Sequence, residues 1–390
     1  MGRVPGILLL VVLSACSAVS RNALPPADHL DATALDNPEI RYWGDETQSH
    51  WLDAIKPGHE EYRYAGISHR EHNYLILSGG GANGAYGAGV LVGWSEQGTR
   101  PEFTVVTGVS TGALTAPFAF LGESYDYRIR QLYTETDTEG IYRKRSLLAF
   151  LYSDAAMDTT PLNKLIARAV DDEFVQALAT EARRGRTLVI GTTNLDAGRP
   201  VVWDITKIAV SGHPGSAALI RQVMLASASI PGIFPPVYIQ VQTPDGRSYD
   251  EMHVDGGASS QFFFYPSEFD WNEVLNRLDV KGTPKIYVIR NGTFRAKYET
   301  VEASSLAILG RTANTMIRYQ GIGDFFKIWS LAVRDGLETK AAFIRHDVDL
   351  GVAPEEVFDP AYMQALFNFG YEQALAGEAF HDFGQLIEGR

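Results

Sequence analysis

The chain holds one cysteine in 390 residues, and it carries no apolar run long enough to cross a bilayer as a permanent helix. A lone cysteine leaves no partner for a disulfide. Basic residues are also scarce, with 34 Lys and Arg against 47 Asp and Glu and a formal net charge of −13. That balance makes nucleic acid and anionic membrane surfaces poor partners. The nine histidines show no i, i+4 pair, and there is no C-x-x-C, so neither a metal nor another cofactor is expected. Internal repeats and low-complexity tracts are missing too. What is present is a 45% hydrophobic content, enough for one large buried core or two smaller ones.

The first residues read as an address. Met1-Gly2-Arg3 gives a basic tip, Val4 to Leu13 is almost wholly apolar, and Leu13-Ser14-Ala15-Cys16 follows. This is the form of a secretory signal, here residues 1–15. The string L-S-A-C resembles a bacterial lipobox, which implies cleavage before Cys16, lipidation of Cys16 and membrane attachment through N-terminal acyl chains. By resemblance to the usual sorting rule, Ser17 favours the outer membrane of the cell envelope. An ordinary signal peptide with a chance cysteine is the alternative. Residues 16–40, with Pro25-Pro26 and scattered acids, predict a lipidated tether. Residues 41–72 hold Tyr42, Trp43, Trp51, Tyr62 and Tyr64 and predict an extension packed on the body, which then spans 73–390.

Within the body, short apolar runs alternate with helical patterns. Strands are expected at Tyr74–Leu77, Phe103–Thr107, Thr187–Gly191, Val201–Trp203, Val237–Val241, Met252–Val254 and Ile286–Ile289. Helices are expected over 85–97, much of 111–184, 216–226 and 302–318. The last places Leu306, Leu309, Ala313, Met316 and Ile317 on one helical face. Pro117 predicts a bend and Pro161 a fresh helix start. The pattern predicts an α/β fold, a three-layer α/β/α arrangement with a mostly parallel central sheet. Sites in such sheets gather at the carboxyl ends of strands.

Three motifs lie at such ends. Gly108-Val109-Ser110-Thr111-Gly112 is the only G-x-S-x-G, placed between a β-branched run and a helical stretch. This is the form of an elbow that lifts a serine hydroxyl out of a sheet, with Gly108 and Gly112 removing the clashes of so sharp a turn. Gly79-Gly80-Gly81-Ala82-Asn83-Gly84 follows an earlier strand. Its backbone N–H groups are suited to an oxyanion hole. Gly79, Gly81 and Gly84 also satisfy G-x-G-x-x-G, but no acid ends the next strand to hold a ribose, and no Gly-Lys-Ser/Thr makes it a P-loop. Asp255-Gly256-Gly257 closes Met252-His253-Val254, where a carboxylate is also a common turn cap.

In this order the motifs resemble the patatin-like phospholipase family. Ala226-Ser227-Ala228-Ser229-Ile230-Pro231-Gly232-Ile233-Phe234-Pro235-Pro236, upstream of Asp255, is similar to a further family segment. The resemblance covers roughly residues 73–290. It implies a Ser–Asp dyad without histidine: Ser110 attacks an ester carbonyl of a lipid or phospholipid, and Asp255 acts as base. Gly79, Gly80, Gly81 and Gly84 would shape the oxyanion hole. Many members carry Arg or Lys where this chain has Asn83. Two alternatives stand beside it. One is a Ser-Asp-His triad esterase using His346, in Phe343-Ile344-Arg345-His346-Asp347. The other is a non-catalytic envelope scaffold. His253, two residues before Asp255, shares its face if the segment is a strand. Phe262-Phe263-Phe264-Tyr265 and the stripe Tyr362, Met363, Leu366, Phe367, Tyr371 read as core. Ser146 to Tyr152 reads as buried helix or the flank of a substrate channel. The sequence leaves the oligomeric state open.

Overall fold

The computed structural model describes residues 21–47, 55, 64–135, 138–144, 155, 157–296 and 298–382. The signal segment, Cys16, Trp51, Tyr62 and the run 146–152 lie outside the described residues.

Continuous apolar or β-branched runs form the centre of the main sheet. Its strands are β1 (Arg41–Trp43), β2 (Asn73–Leu77), β3 (Val105–Val109), β6 (Thr187–Asn194) and β7 (Arg199–Asp204). The others are β8 (Val237–Gln242), β9 (Ser248–Asp255), β10 (Lys285–Arg290), β11 (Glu338–Phe343) and β12 (His381–Asp382). A separate two-stranded ribbon joins β4 (Arg143–Lys144) to β5 (Met157–Asp158). Along the main sheet the order is β1-β7-β6-β3-β2-β10-β11-β12. The five central strands, β6 to β11 in that order, pair in parallel. The flanking pairs are antiparallel.

Period-two alternation divides the core between the two faces of this sheet. Leu75 and Leu77 of β2, with Tyr287 and Ile289 of β10, face a core that includes Ala85, Leu91 and Trp94 of the helix Gly84–Glu96 and Leu366 and Phe367 of the helix Pro360–Leu375. Tyr74, Ile76, Ile286 and Val288 face a second core with Phe262, Phe264, Tyr265, Phe325 and Ile328. Helices cover both faces, so the fold is a three-layer α/β/α sandwich with a mostly parallel central sheet.

The register of β6 is what builds a site. Its first half pairs with β3, ending at Val109 opposite Gly191. Its second half pairs on with β9, which runs the other way and ends with Asp255 opposite Thr192. Two strands thus meet end to end along β6, and the residues at the junction are Ser110 and Asp255.

Two regions differ from expectation. Residues 21–40 do not hang free as a tether. Thr33 donates its N–H to the Gln242 carbonyl at 2.9 Å, Asp250 donates its N–H to the Asn22 carbonyl at 2.7 Å, and Ala32, Ala34 and Ile40 are buried. Pro26 opens a 3-10 turn, Pro26–Asp28, rather than an extended linker. The apolar residues there are single and widely spaced, so no periodic pattern announces the packing. The 302–318 helix forms as part of a longer one, Ser305–Arg334, capped by the Ser304 hydroxyl oxygen, which accepts from Ala307 N at 3.3 Å. Its expected apolar face is solvent-exposed, with Leu309 at 66% and Met316 at 68% exposure. The half that packs on the sheet comes later, at Phe325, Ile328, Leu331 and Ala332.

Candidate active site

Ser110 follows the last residue of β3 and precedes the helix Thr111–Leu121. Its backbone is held at φ 56° and ψ −126°, a conformation that costs a non-glycine residue about 1–3 kcal/mol. The turn is held from both sides. Ser110 N donates to Ser227 Oγ at 3.0 Å, and Ser227 Oγ donates to the Gly191 carbonyl at 2.6 Å. Ala113 N donates to the Ser110 carbonyl at 2.9 Å, starting the helix. Gly112 permits the crossing, because a Cβ there would stand 2.5 Å from the Leu77 carbonyl.

The Ser110 hydroxyl donates to Asp255 Oδ2 at 2.6 Å, and Gly257 N donates to Asp255 Oδ1 at 2.7 Å. Both Ser110 and Asp255 are buried. Burial pushes the Asp255 carboxyl up to about 7, and the bonds from Ser110 and Gly257 restrain that rise. A carboxylate near neutrality, with the hydroxyl proton already directed at it, is suited to accept that proton.

The glycine turn lies beside the serine. A Cβ on Gly79 would fall 3.1 Å from Ser110 Cβ, so the Gly79 backbone lies against the Ser110 side chain. Gly80 has φ 156°, and a Cβ there would meet the Asn291 carbonyl at 2.3 Å. Asn291 is the clamp: its N–H donates to Ser78 Oγ at 2.8 Å, its Nδ2 to the Ser78 carbonyl at 3.0 Å, and its Oδ1 accepts from Gly87 N at 3.1 Å. Gly84 begins the following helix. The Tyr362 hydroxyl donates to Asn83 Oδ1 at 3.0 Å, which ties the side chain that stands in place of a cation.

Gly81, Ser110 and Thr111 open onto a narrow cleft. Its walls include Leu114, Leu162, Ile230, Phe234, Phe358 and Met363. These are apolar and drawn from distant parts of the chain; Ile230 and Phe234 fall in the Ala226–Pro236 segment, and Met363 in a stripe that reads as core. Ser227 and Asn291 were missed as positioning residues. The one signal for Ser227 was its place in the Ala226–Pro236 segment.

The two histidines stand elsewhere. His253 is fully buried, with Nδ1 3.0 Å from Thr192 Oγ1 and Nε2 3.1 Å from Glu251 Oε2, so it belongs to a structural cluster beneath the site. Burial lowers its pKa and keeps the ring neutral. Burial would raise Glu251, but His253 and Arg41 outweigh it and hold that carboxyl at about 2. His346 is exposed after β11 and makes no hydrogen bond to Ser110 or Asp255. Phe262, Phe264 and Tyr265 are core. In the 362–371 stripe, Met363, Leu366 and Phe367 are buried.

Residues 75–266 match the family model described as patatin-like phospholipase. Among solved structures, VipD from Legionella pneumophila aligns with 14% identity over 81% of this chain and 69% of that one, at a TM-score of 0.33. The type III effector ExoU aligns with 12% identity over 80% of this chain and 55% of that one, at a TM-score of 0.30. The ExoU–SpcU complex of Pseudomonas aeruginosa aligns with 15% identity, 80% and 53% coverage and a TM-score of 0.30. The chain thus spans about half the length of the ExoU chains. Alignments this loose transfer no residue roles. No curated protein matches the chain.

Proposed function

Residues 75–266 being a patatin-like phospholipase domain, which marks a lipid hydrolase in general, we propose that the chain hydrolyses carboxylic esters of phospholipids or lysophospholipids through Ser110 and Asp255. The observation that carries this reading is the 2.6 Å bond from the Ser110 hydroxyl to Asp255 Oδ2 at the head of an apolar cleft. The acyl chain lies in the cleft and its carbonyl carbon meets Ser110 Oγ.

The reading entails the following steps. Ser110 Oγ bonds to the carbonyl carbon as Asp255 takes the hydroxyl proton. The oxyanion turns toward the amides of the Gly79–Gly81 turn and the start of the Thr111–Leu121 helix. Collapse breaks the bond to the alcohol oxygen, which leaves with the proton from Asp255. Water then attacks the acyl-enzyme, Asp255 takes a water proton, and the fatty acid leaves as Ser110 regains its hydrogen.

Since the base acts only as the carboxylate, kcat/KM should rise with pH through an apparent pKa of about 7 and level off above it. A rate profile on a short soluble ester measures this. A limb near the ordinary aspartate value would contradict a buried base. The basic experiment incubates the protein with defined phospholipids and reads fatty acid and lysolipid by mass spectrometry. A fluorophosphonate probe should label Ser110, and no labelling would favour the scaffold reading.

We also propose lipid anchoring at the bacterial envelope, most simply at the outer membrane, on the strength of Leu13-Ser14-Ala15-Cys16-Ser17. Cys16→Ala should abolish incorporation of labelled palmitate and release the protein from membrane fractions. Unchanged labelling would remove this part of the proposal.

A further inference from the structure

We propose that Arg290 and Arg318 form an anion pocket that takes the phosphate of the lipid headgroup, an assignment that rests on the lipid-hydrolase reading above. Arg290 ends β10, the strand beside β2, and Ile289 pairs with Leu77 just before the glycine turn. Its side chain therefore stands at the carboxyl edge of the sheet, one strand from the turn that flanks Ser110.

Arg290 is more than nine-tenths buried, yet its Nε and Nη1 donate to nothing among the described residues. Nη2 reaches only the Arg318 carbonyl, at 3.4 Å. Arg318 Nε is buried and unpartnered as well. The rings of Phe294 and Phe262, 4.7 and 5.8 Å from the guanidinium carbon, offset part of the charge. Asp324 is the carboxylate that acts on Arg290 from nearby, and its Oδ2 is occupied by Gln261 N at 2.7 Å and Ser260 Oγ at 3.2 Å. Burial, with the like charge of Arg318, pushes Arg290 down to about 10, so the group stays charged at neutral pH. A buried cation with idle donors is a group that an anion would satisfy.

Gly321 packs directly on the guanidinium, where a Cβ would lie 2.9 Å from Nη1, and Gly292 lies near Nε, where one would lie 3.9 Å away. Room for an anion is on the side of Phe294 and Arg318. The open pocket there is walled by Phe294, Arg295, Arg318, Tyr319 and Phe326. Gln261 links this place to the reaction centre. Its Oε1 would stand 2.8 Å from a Cβ on Gly79, its Nε2 donates to the Gly257 carbonyl at 3.0 Å, and its Cβ packs toward Gly321. A tetrahedral phosphate presents oxygens to several donors at once, the geometry for which an arginine fork is suited. Gln261 thus stands between the anion pocket and the glycine turn, while the apolar cleft opens from Gly81 and Thr111, an arrangement suited to a lipid that bears both a phosphate and an acyl ester.

The test compares a phospholipid with a diacylglycerol of the same chains in uncharged detergent micelles. Arg290→Gln should lower the ratio of kcat/KM for phospholipid to that for diacylglycerol by at least about tenfold, with part of the ratio restored by Arg290→Lys. Arg318→Gln, at the half-buried mouth, should move the ratio the same way and covers the case in which Arg290→Gln does not fold. Calorimetry with sn-glycero-3-phosphate gives a second arm, in which wild type should bind and Arg290→Gln should not. An unchanged ratio overturns the assignment. So does equal binding of inorganic phosphate with unaltered lipid preference, which marks a site for a free anion. If wild type cleaves neither lipid, the hydrolase reading fails, and the calorimetric arm still decides the pocket: failure to bind glycerophosphate overturns it.

Discussion

Ser110→Ala should lower kcat for ester hydrolysis by a factor on the order of 10⁴ or more, while the protein folds as before. The size follows from what the substitution removes. The Ser110 hydroxyl is the group donating to Asp255 Oδ2, and a nucleophile removed from such a pair leaves only binding and oxyanion stabilisation to act on water. The fold should survive because the elbow is held by main-chain groups. Ser110 N still donates to Ser227 Oγ, and the Ser110 carbonyl still receives Ala113 N. Alanine has the same Cβ as serine, so the strain at φ 56° is neither relieved nor increased. The other carboxylate bond, from Gly257 N, is untouched. Turnover by Ser110→Ala above about one per cent of wild type, with contaminating esterases excluded by the fluorophosphonate probe, would end the Ser110 mechanism.

The central sheet was legible because parallel strands covered on both faces must be apolar throughout. Tyr74–Leu77 read as a strand one residue short of its observed start at Asn73, and Thr187–Gly191 read as one from its observed start, although it runs on to Asn194 to pair with β9. Ser110, Asp255 and the glycine turn were each visible at a strand end, since sharp turns demand particular residues. Their convergence was not visible in the same way. It depends on β3 and β9 sharing one edge of β6, a register that no local pattern encodes. Period also has a limit at Leu309, Ala313 and Met316. It says that these residues lie on one face of a helix, not what covers that face. The walls of the cleft, from Leu114 to Met363, are ordinary apolar residues in sequence and become a wall only when distant elements meet. Arg290 was hidden for a similar reason. One arginine closing the run Ile286-Tyr287-Val288-Ile289 looks like a strand end meeting solvent, whereas the helix Ser305–Arg334 covers it.

Asp255→Asn should abolish turnover yet make the protein more resistant to unfolding at alkaline pH. In the folded chain the carboxyl sits at about 7 instead of its ordinary 3.8, because burial penalises the charged form more than Ser110 and Gly257 repay. Folding therefore favours the protonated acid. The stability this contributes is complete below about pH 4, declines as pH rises toward 7, and is gone above it. A shift of about 3 units corresponds to a penalty of roughly 4 kcal/mol in the ionised state. Asparagine is neutral throughout and retains both contacts: its oxygen accepts Gly257 N, and its amide donates to Ser110 Oγ in place of the reverse bond. The variant should thus melt several degrees above wild type at pH 8, with the gap closing toward pH 4 as wild type takes up its proton. Taking the difference between the two proteins at each pH cancels the other titrating groups. A melting gap that stays constant from pH 4 to pH 8, or wild type proving the more stable at pH 8, would mean that Asp255 ionises in water rather than in a dry site, and the reason for treating it as a base near neutrality would go with it.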